Sequence, residues 1–327
     1  MWRRIFYILF TVLLIWYFAH HWQDLIQVGR DIRSGIWYWV ALAALLQVMH
    51  YFFHSYALKR SFSVLHMQRT EREIFLVTLG ALAINVVAPS MNVSGMAFVV
   101  DEARRRGHPG TASLVASAVS VLVDGSVFIC FATGVAILLV IFGGLNDAFI
   151  TSLSVLLALV LFFIFGLMYF YARPYSLERY LRILGKDRAK RWSDEWIAVT
   201  ELSLSAKQFL QVVAPEVGAH FCNFASMCVI FAAFHQPVFS LVPAIAYTVG
   251  VLFVILSPTP MGIGFAESGM TLAMTHQGIP LPAASAITVA YRGLSFWIPF
   301  IIGAGILHYL QLEHPEDLDQ ATHEITA

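Results

Sequence analysis

The sequence predicts an all-α polytopic membrane protein of about eight transmembrane helices, interrupted by broken or re-entrant segments. Three observations carry that prediction. Hydrophobic residues fill 59% and charged residues only 12% of 327 positions, with a mean hydropathy of +0.73, whereas a soluble domain carries about 25% charge. The apolar residues fall in blocks near the ~20 residues of helix that cross a hydrocarbon core. The lysines and arginines lie almost wholly between those blocks. A net charge of zero singles out no partner by itself, and no nucleic acid is expected.

Taken in order, Met1-Trp2-Arg3-Arg4 leads into 5–19 without a charge. No small-residue cleavage site follows; His20, His21 and Trp22 do, so 5–20 is read as an uncleaved first span. Further apolar segments lie at 36–57, 74–98, 112–142, 149–171, 212–234, 238–257, 262–280 and 282–310. Two of them are compromised. Segment 74–98 holds Asn85, Pro89, Ser90, Asn92, Ser94 and Gly95, and segment 262–280 opens on a glycine-rich stretch and carries Glu267. Cys130, Cys222 and Cys228 sit inside apolar runs without paired spacing, as small hydrophobes do.

Topology follows from the basic residues. If segment 74–98 enters and leaves on one face, the N-terminus and the loops 58–73, 99–111 and 172–211 share a side. That side then holds 17 of the 20 lysines and arginines, with only Arg30 and Arg33 opposite and Arg292 inside a span. The expected side is the cytoplasm, in a cell membrane, with the N-terminus inside. Whether 262–280 crosses stays open, and with it the side of the acidic tail 312–327. Residues 1–311 read as a single membrane domain. Its loop 172–211 carries a short amphipathic helix, with Ser176 as N-cap and Leu177, Leu181 and Leu184 on one face.

Each half of the chain places an ionisable residue in the long span after its break. Pro89 precedes Asp124 by 35 residues, and Pro258 precedes Arg292 by 34, spacings that raise an internal two-fold repeat. Matched broken segments are a pointer to a transporter binding site. Asp124, Glu267 and Arg292 each cost about 2.5–3.5 kcal/mol near the bilayer centre, so each needs a partner or a cavity. A buried Glu267–Arg292 pair pinning the break is one reading; a role in holding substrate or moving protons is the other, and the two are compatible. Arginine suits bidentate binding of phosphate. Helices restarting after Pro89–Gly95 and after Pro260, Gly262 and Gly264 would add positive dipole ends.

Gly262-x-Gly264-x-x-Glu267 lacks the third glycine and the strand of a nucleotide fingerprint. His50 and His54 stand at i, i+4, the spacing of a metal pair, but no third ligand is visible, so neither metal nor cofactor is expected. Arg104-Arg105-Arg106 reads as a topology anchor first and a headgroup contact second.

Pro258-Thr259-Pro260-Met261-Gly262-Ile263-Gly264-Phe265-Ala266-Glu267, then Tyr291-Arg292 and Trp297-Ile298-Pro299, resembles the transmembrane region of lysylphosphatidylglycerol synthetases and its stand-alone, flippase-like relatives. Asn85, Pro89, Gly95, the run Glu102–Gly107 and Asp124 extend the resemblance over about 74–310. The chain departs from the pattern at Met261, where the family has a glycine, and at Ser120-Val121, where it often has Glu-Arg. The resemblance implies a lipid translocator without an aminoacyl-transferase domain, hence not an enzyme. Its partner would be an anionic or aminoacylated phospholipid or another polar lipid, with a homodimer left open. Arg292 would hold the phosphate, with Glu267, Asp124, Asn85, Pro89, Gly95, Pro260, Gly262, Gly264 and Tyr291 around it. An intramembrane lipid-modifying enzyme and a subunit of an envelope complex are the alternatives.

Overall fold

The computed structural model describes residues 37–87, 93–142, 205–257 and 259–313, and every regular element among them is helical. In chain order these are α1 (Trp37–Val64), α2 (Glu71–Val87), α3 (Val93–Arg105), α4 (Gly110–Phe142), α5 (Ala206–Ala233), α6 (Val242–Leu256), α7 (Phe265–His276), α8 (Leu281–Arg292) and α9 (Ile298–Glu313). A 3₁₀ turn at Pro260–Gly262 precedes α7, and a π turn at Gly293–Trp297 joins α8 to α9. The expected spans 5–20 and 149–171 lie outside the described residues, as do most of loop 172–211 and most of the tail.

Among the described residues, three stretches are long and apolar enough to cross a membrane: Ala112–Phe142, Ala206–Ala233 and Leu281–Tyr309, with Val242–Leu256 shorter. Their exposure is inverted relative to a soluble bundle. On α4, Ile137, Leu138, Val140, Ile141 and Phe142 are exposed while Ser113, Ser117 and Ser120 are buried. Apolar side chains facing outward in such density need lipid to cover them. The serines answer their own helix instead: Ser117 Oγ donates to Ser113 O at 2.8 Å and Ser113 Oγ to Pro109 O at 2.9 Å.

The chain forms two compact units, one of Met49–Phe221 with Pro299–Ala327, the other of Met1–Val48 with Cys222–Ile298. In the first, Phe62, Ile74, Val77, Val99, Ala103 and Ala116 gather α1 to α4 into one core. Val64, Val123 and Val212 tie α1, α4 and α5 in a second cluster. Helix α2 starts on a capping box, Thr70 N donating to Glu73 Oε2 at 3.1 Å and Glu73 N to Thr70 Oγ1 at 3.3 Å. It is described to Val87 and α3 from Val93, so Pro89 and Asn92 lie outside the described residues. At 13 residues α3 is about 20 Å long, short of the ~30 Å hydrocarbon core.

In the second unit α6, α7 and α8 pack around Tyr247, Met270 and Ile287, all essentially inaccessible. Thr271 Oγ1 donates to Thr288 Oγ1 at 3.0 Å, fixing α7 against α8. Helix α7 has 12 residues and a length of about 18 Å, so it too falls short of a crossing. The element order of the first unit therefore recurs: helix, break, short helix, then a long helix that carries the ionisable residue.

Candidate functional site

The second break is built residue by residue. Ser257 ends α6 with ψ 140°, the extended geometry a following proline demands. Its hydroxyl meets Thr259 Oγ1 at 2.7 Å, and Thr259 Oγ1 donates to Ile263 O at 2.9 Å, so the open loop has its polar groups answered. Met261, Gly262 and Gly264 then take positive φ, at 49°, 71° and 83°. Gly262 is obligatory for space as well, since a Cβ there would lie 2.8 Å from Val254 Cα. The left-handed conformation at Met261 is one that glycine adopts without strain, which explains why a glycine suits this position of the family pattern.

From this turn α7 starts with Glu267 in its first turn. Glu267 Oε2 accepts from the Gly264 amide at 2.7 Å, and Oε1 accepts from Arg292 Nε at 2.7 Å. Both side chains are buried, Glu267 at 3% and Arg292 at 6% exposure. Arg292 Nη2 donates to Met261 O at 3.1 Å, and the guanidinium lies 4.4 Å over the Phe296 ring. The π turn after Arg292 brings that ring beneath it, and cation–π contact of this kind supports a desolvated guanidinium. Pro260 opens the 3₁₀ turn, while Gly262 and Gly264 shape the backbone that Arg292 touches. Tyr291, next to Arg292, donates to Asn223 Oδ1 at 2.7 Å, which also accepts from Gln47 Nε2 at 3.0 Å.

The electrostatic consequence is specific. The Arg292 guanidinium and the N-terminus of α7 are both anion-attracting, and one carboxylate, Glu267, satisfies both. The pair that was one of the two readings of the sequence is present.

In the first unit the other predicted residues part company. Asn85, near the end of α2, caps α3: its Oδ1 accepts from the Gly95 amide at 2.7 Å and from Ser94 Oγ at 3.1 Å. A Cβ on Gly95 would lie 2.5 Å from the Asn85 amide nitrogen, so the cap requires glycine there. Pro89 lies outside the described residues. Asp124 belongs to the first unit, and its Oδ1 lies 3.0 Å from His220 Nε2. His54 Nδ1 lies 3.1 Å from both oxygens of Glu216, and donor atoms of His54, Asp124 and Glu216 all fall within 4.8 Å of one another. Sequence reading passed over Glu216 and His220. Their signal was an ionisable pair at i, i+4 inside an apolar run, facing the His50/His54 pair of the same spacing.

The polar surface of that unit is held by arginines. Arg106 pairs with Glu102 at 2.7 Å and Glu73 at 2.8 Å, and Arg105 pairs with Asp101 at 3.0 Å. Arg69, 5% exposed, lies 5.6 Å over the Phe62 ring. Burial, seconded by the Arg106 charge, holds its guanidinium below the ordinary arginine value. Burial pushes Glu73 up, but the Thr70 amide and Arg106 more than offset that, and its carboxyl sits below the usual range.

Among known proteins, the family described as lysylphosphatidylglycerol synthase TM region matches residues 4–303. No curated protein matches the chain. The match and the apolar helices make this a membrane protein of lipid metabolism or translocation.

Proposed function

The chain belongs to the lysylphosphatidylglycerol synthase TM region family, and from that premise we propose that it moves a phosphate-bearing lipid between leaflets, as a transporter and not an enzyme. The observation that carries this reading is the buried Glu267–Arg292 pair at the mouth of a broken helix. In this mechanism Glu267 is a resident stand-in for phosphate. An incoming phosphate displaces its carboxylate from Arg292 Nε, keeping the guanidinium paired throughout and avoiding a bare buried charge. The displaced carboxylate turns to a cationic part of the headgroup or takes a proton. Irregular backbone at membrane depth is tolerated where it meets a polar cavity and not acyl chains, so each break would line the path of the headgroup. The acyl chains stay in the bilayer while the headgroup crosses.

Reconstitution in vesicles with a fluorescent anionic phospholipid, read by quencher accessibility, tests this. Arg292→Ala is expected to abolish protein-dependent flipping and Arg292→Lys to reduce it, because lysine loses the fork geometry. A folded Arg292→Ala protein that flips lipid at the wild-type rate sinks the proposal. Product formation from lipid by the purified protein would favour the lipid-modifying enzyme.

A further inference from the structure

The cluster on α1, α4 and α5 is not used by the mechanism above. We propose that His54, Asp124 and Glu216 bind a divalent transition-metal ion of the zinc class, with His220 as the residue that orients Asp124. Three observations carry the assignment. The donor atoms come from three different helices and converge within 4.8 Å. Ligands of a tetrahedral centre with bonds of about 2.0–2.2 Å lie roughly 3.3–3.6 Å apart, so the His54–Glu216 edge, at 3.1 Å, needs to open only slightly while Asp124 closes in.

The second observation is an under-satisfied group. Glu216 is 0% exposed, and its Oε1 is buried without a hydrogen bond, its neighbour His54 Nδ1, 3.1 Å away, bonding through Oε2. A buried carboxylate short of partners is costly, and a bound cation would answer its remaining lone pairs. Two carboxylates and one neutral imidazole balance a 2+ charge, which matters where water is excluded. One nitrogen and two carboxylate donors suit zinc or a neighbouring divalent ion, and nothing in the set is soft enough to select copper(I).

The third is the surroundings. His220 Nε2 stands 3.0 Å from Asp124 Oδ1, its ring 6.1 Å from Phe128 in a stacked arrangement. Carboxylate ligands of metal sites are in turn hydrogen-bonded by outer groups, the place His220 takes here. His50 is excluded from ligation through Nδ1, which is spent on Ala219 O at 3.0 Å, and its ring stacks 6.2 Å from His54. Access is provided on one side: the Asp124 side chain is 39% exposed where that of Glu216 is buried.

The test uses the full-length protein in detergent, stripped with chelator, re-equilibrated with zinc and assayed for bound metal by mass spectrometry. Wild type should hold about one zinc per chain, with Glu216→Gln and Asp124→Asn each weakening binding at least tenfold, and His220→Ala by about 10–100-fold. His50→Gln should leave affinity within about threefold, which separates ligation from general loss of structure. Cobalt substitution of the unmutated protein gives an independent readout, a visible ligand-field spectrum of a four- or five-coordinate N/O site. Zinc retention in wild type no greater than in the Glu216→Gln/Asp124→Asn double variant overturns the assignment. So does a cobalt spectrum identical to the aqueous ion, or equal loss of zinc in His50→Gln.

Discussion

Asp124 and Arg292 occupy matching places, each in a long helix that follows a break and a short helix, yet they are answered in opposite ways. Arg292 is met by its own broken segment, whose first helical turn supplies Glu267 and whose turn supplies the Met261 carbonyl. Asp124 is met by α5 through His220, while the preceding break is closed by Asn85, a neutral cap. The first arrangement is saturated and shut; the second leaves a carboxylate oxygen of Glu216 without a hydrogen bond and Asp124 partly open. The lesson is that a shared element order does not dictate shared chemistry. What matters is whether the residue at the third position of the restarted helix can reach the long helix. Glu267 can and does. The glycine in the corresponding first turn of α3, Gly95, has no side chain with which to try.

The largest expected effect breaks the saturated side. Glu267→Gln or Arg292→Ala leaves a buried charge uncompensated and should cost about 3–5 kcal/mol in unfolding experiments. Replacing both together, Glu267→Leu with Arg292→Met, should recover most of that stability while lipid movement stays lost. Asp124→Asn, on the open side, should cost less, because the uncharged amide can still meet His220 and leaves no carboxylate to be neutralised in the span. Equal losses for Arg292→Ala and Asp124→Asn would erase the contrast between the two regions.

A smaller effect tests the backbone that positions the pair. Gly262→Ala must accept φ 71° and a collision with Val254, for a loss of about 2–3 kcal/mol. The same substitution should weaken lipid movement, since it displaces the Met261 carbonyl from Arg292. Unchanged melting and unchanged transport would show that the turn is not what aims the guanidinium.

The smallest concerns the outer end of α2. Glu73 is depressed in the folded protein, so its contribution is present above the ordinary glutamate value of 4.5 and is lost as pH falls through its folded value. Thr70→Ala should remove about 0.5–1 kcal/mol at neutral pH and flatten the acid limb of the melting profile. An acid limb identical to wild type would assign the pH dependence to other carboxylates.

Much of this was legible in the residues. The helical membrane class follows from composition, the two breaks from proline and glycine, and the Glu267–Arg292 pair from the cost of leaving either charge alone in lipid. The capping role of Asn85 was not legible, because it depends on α2 and α3 folding back so that one side chain meets another helix's first amides. Nor was the convergence on Glu216. Its i, i+4 partner His220 was visible, but Asp124 lies 92 residues away in sequence, and no local pattern measures that distance.

By itself, then, the sequence determined which of the described stretches are helical, roughly where they stop, and which ionisable residues must be neutralised, since these follow from local backbone preference and the cost of burying charge. Only the tertiary structure decided that Glu267 does answer Arg292, one of the readings left open, and that His220 answers Asp124. That choice rests on helix packing, which brings Arg292 within 2.7 Å of Glu267 and Asp124 within 3.0 Å of His220, and packing is a property of whole helix faces that no single residue announces.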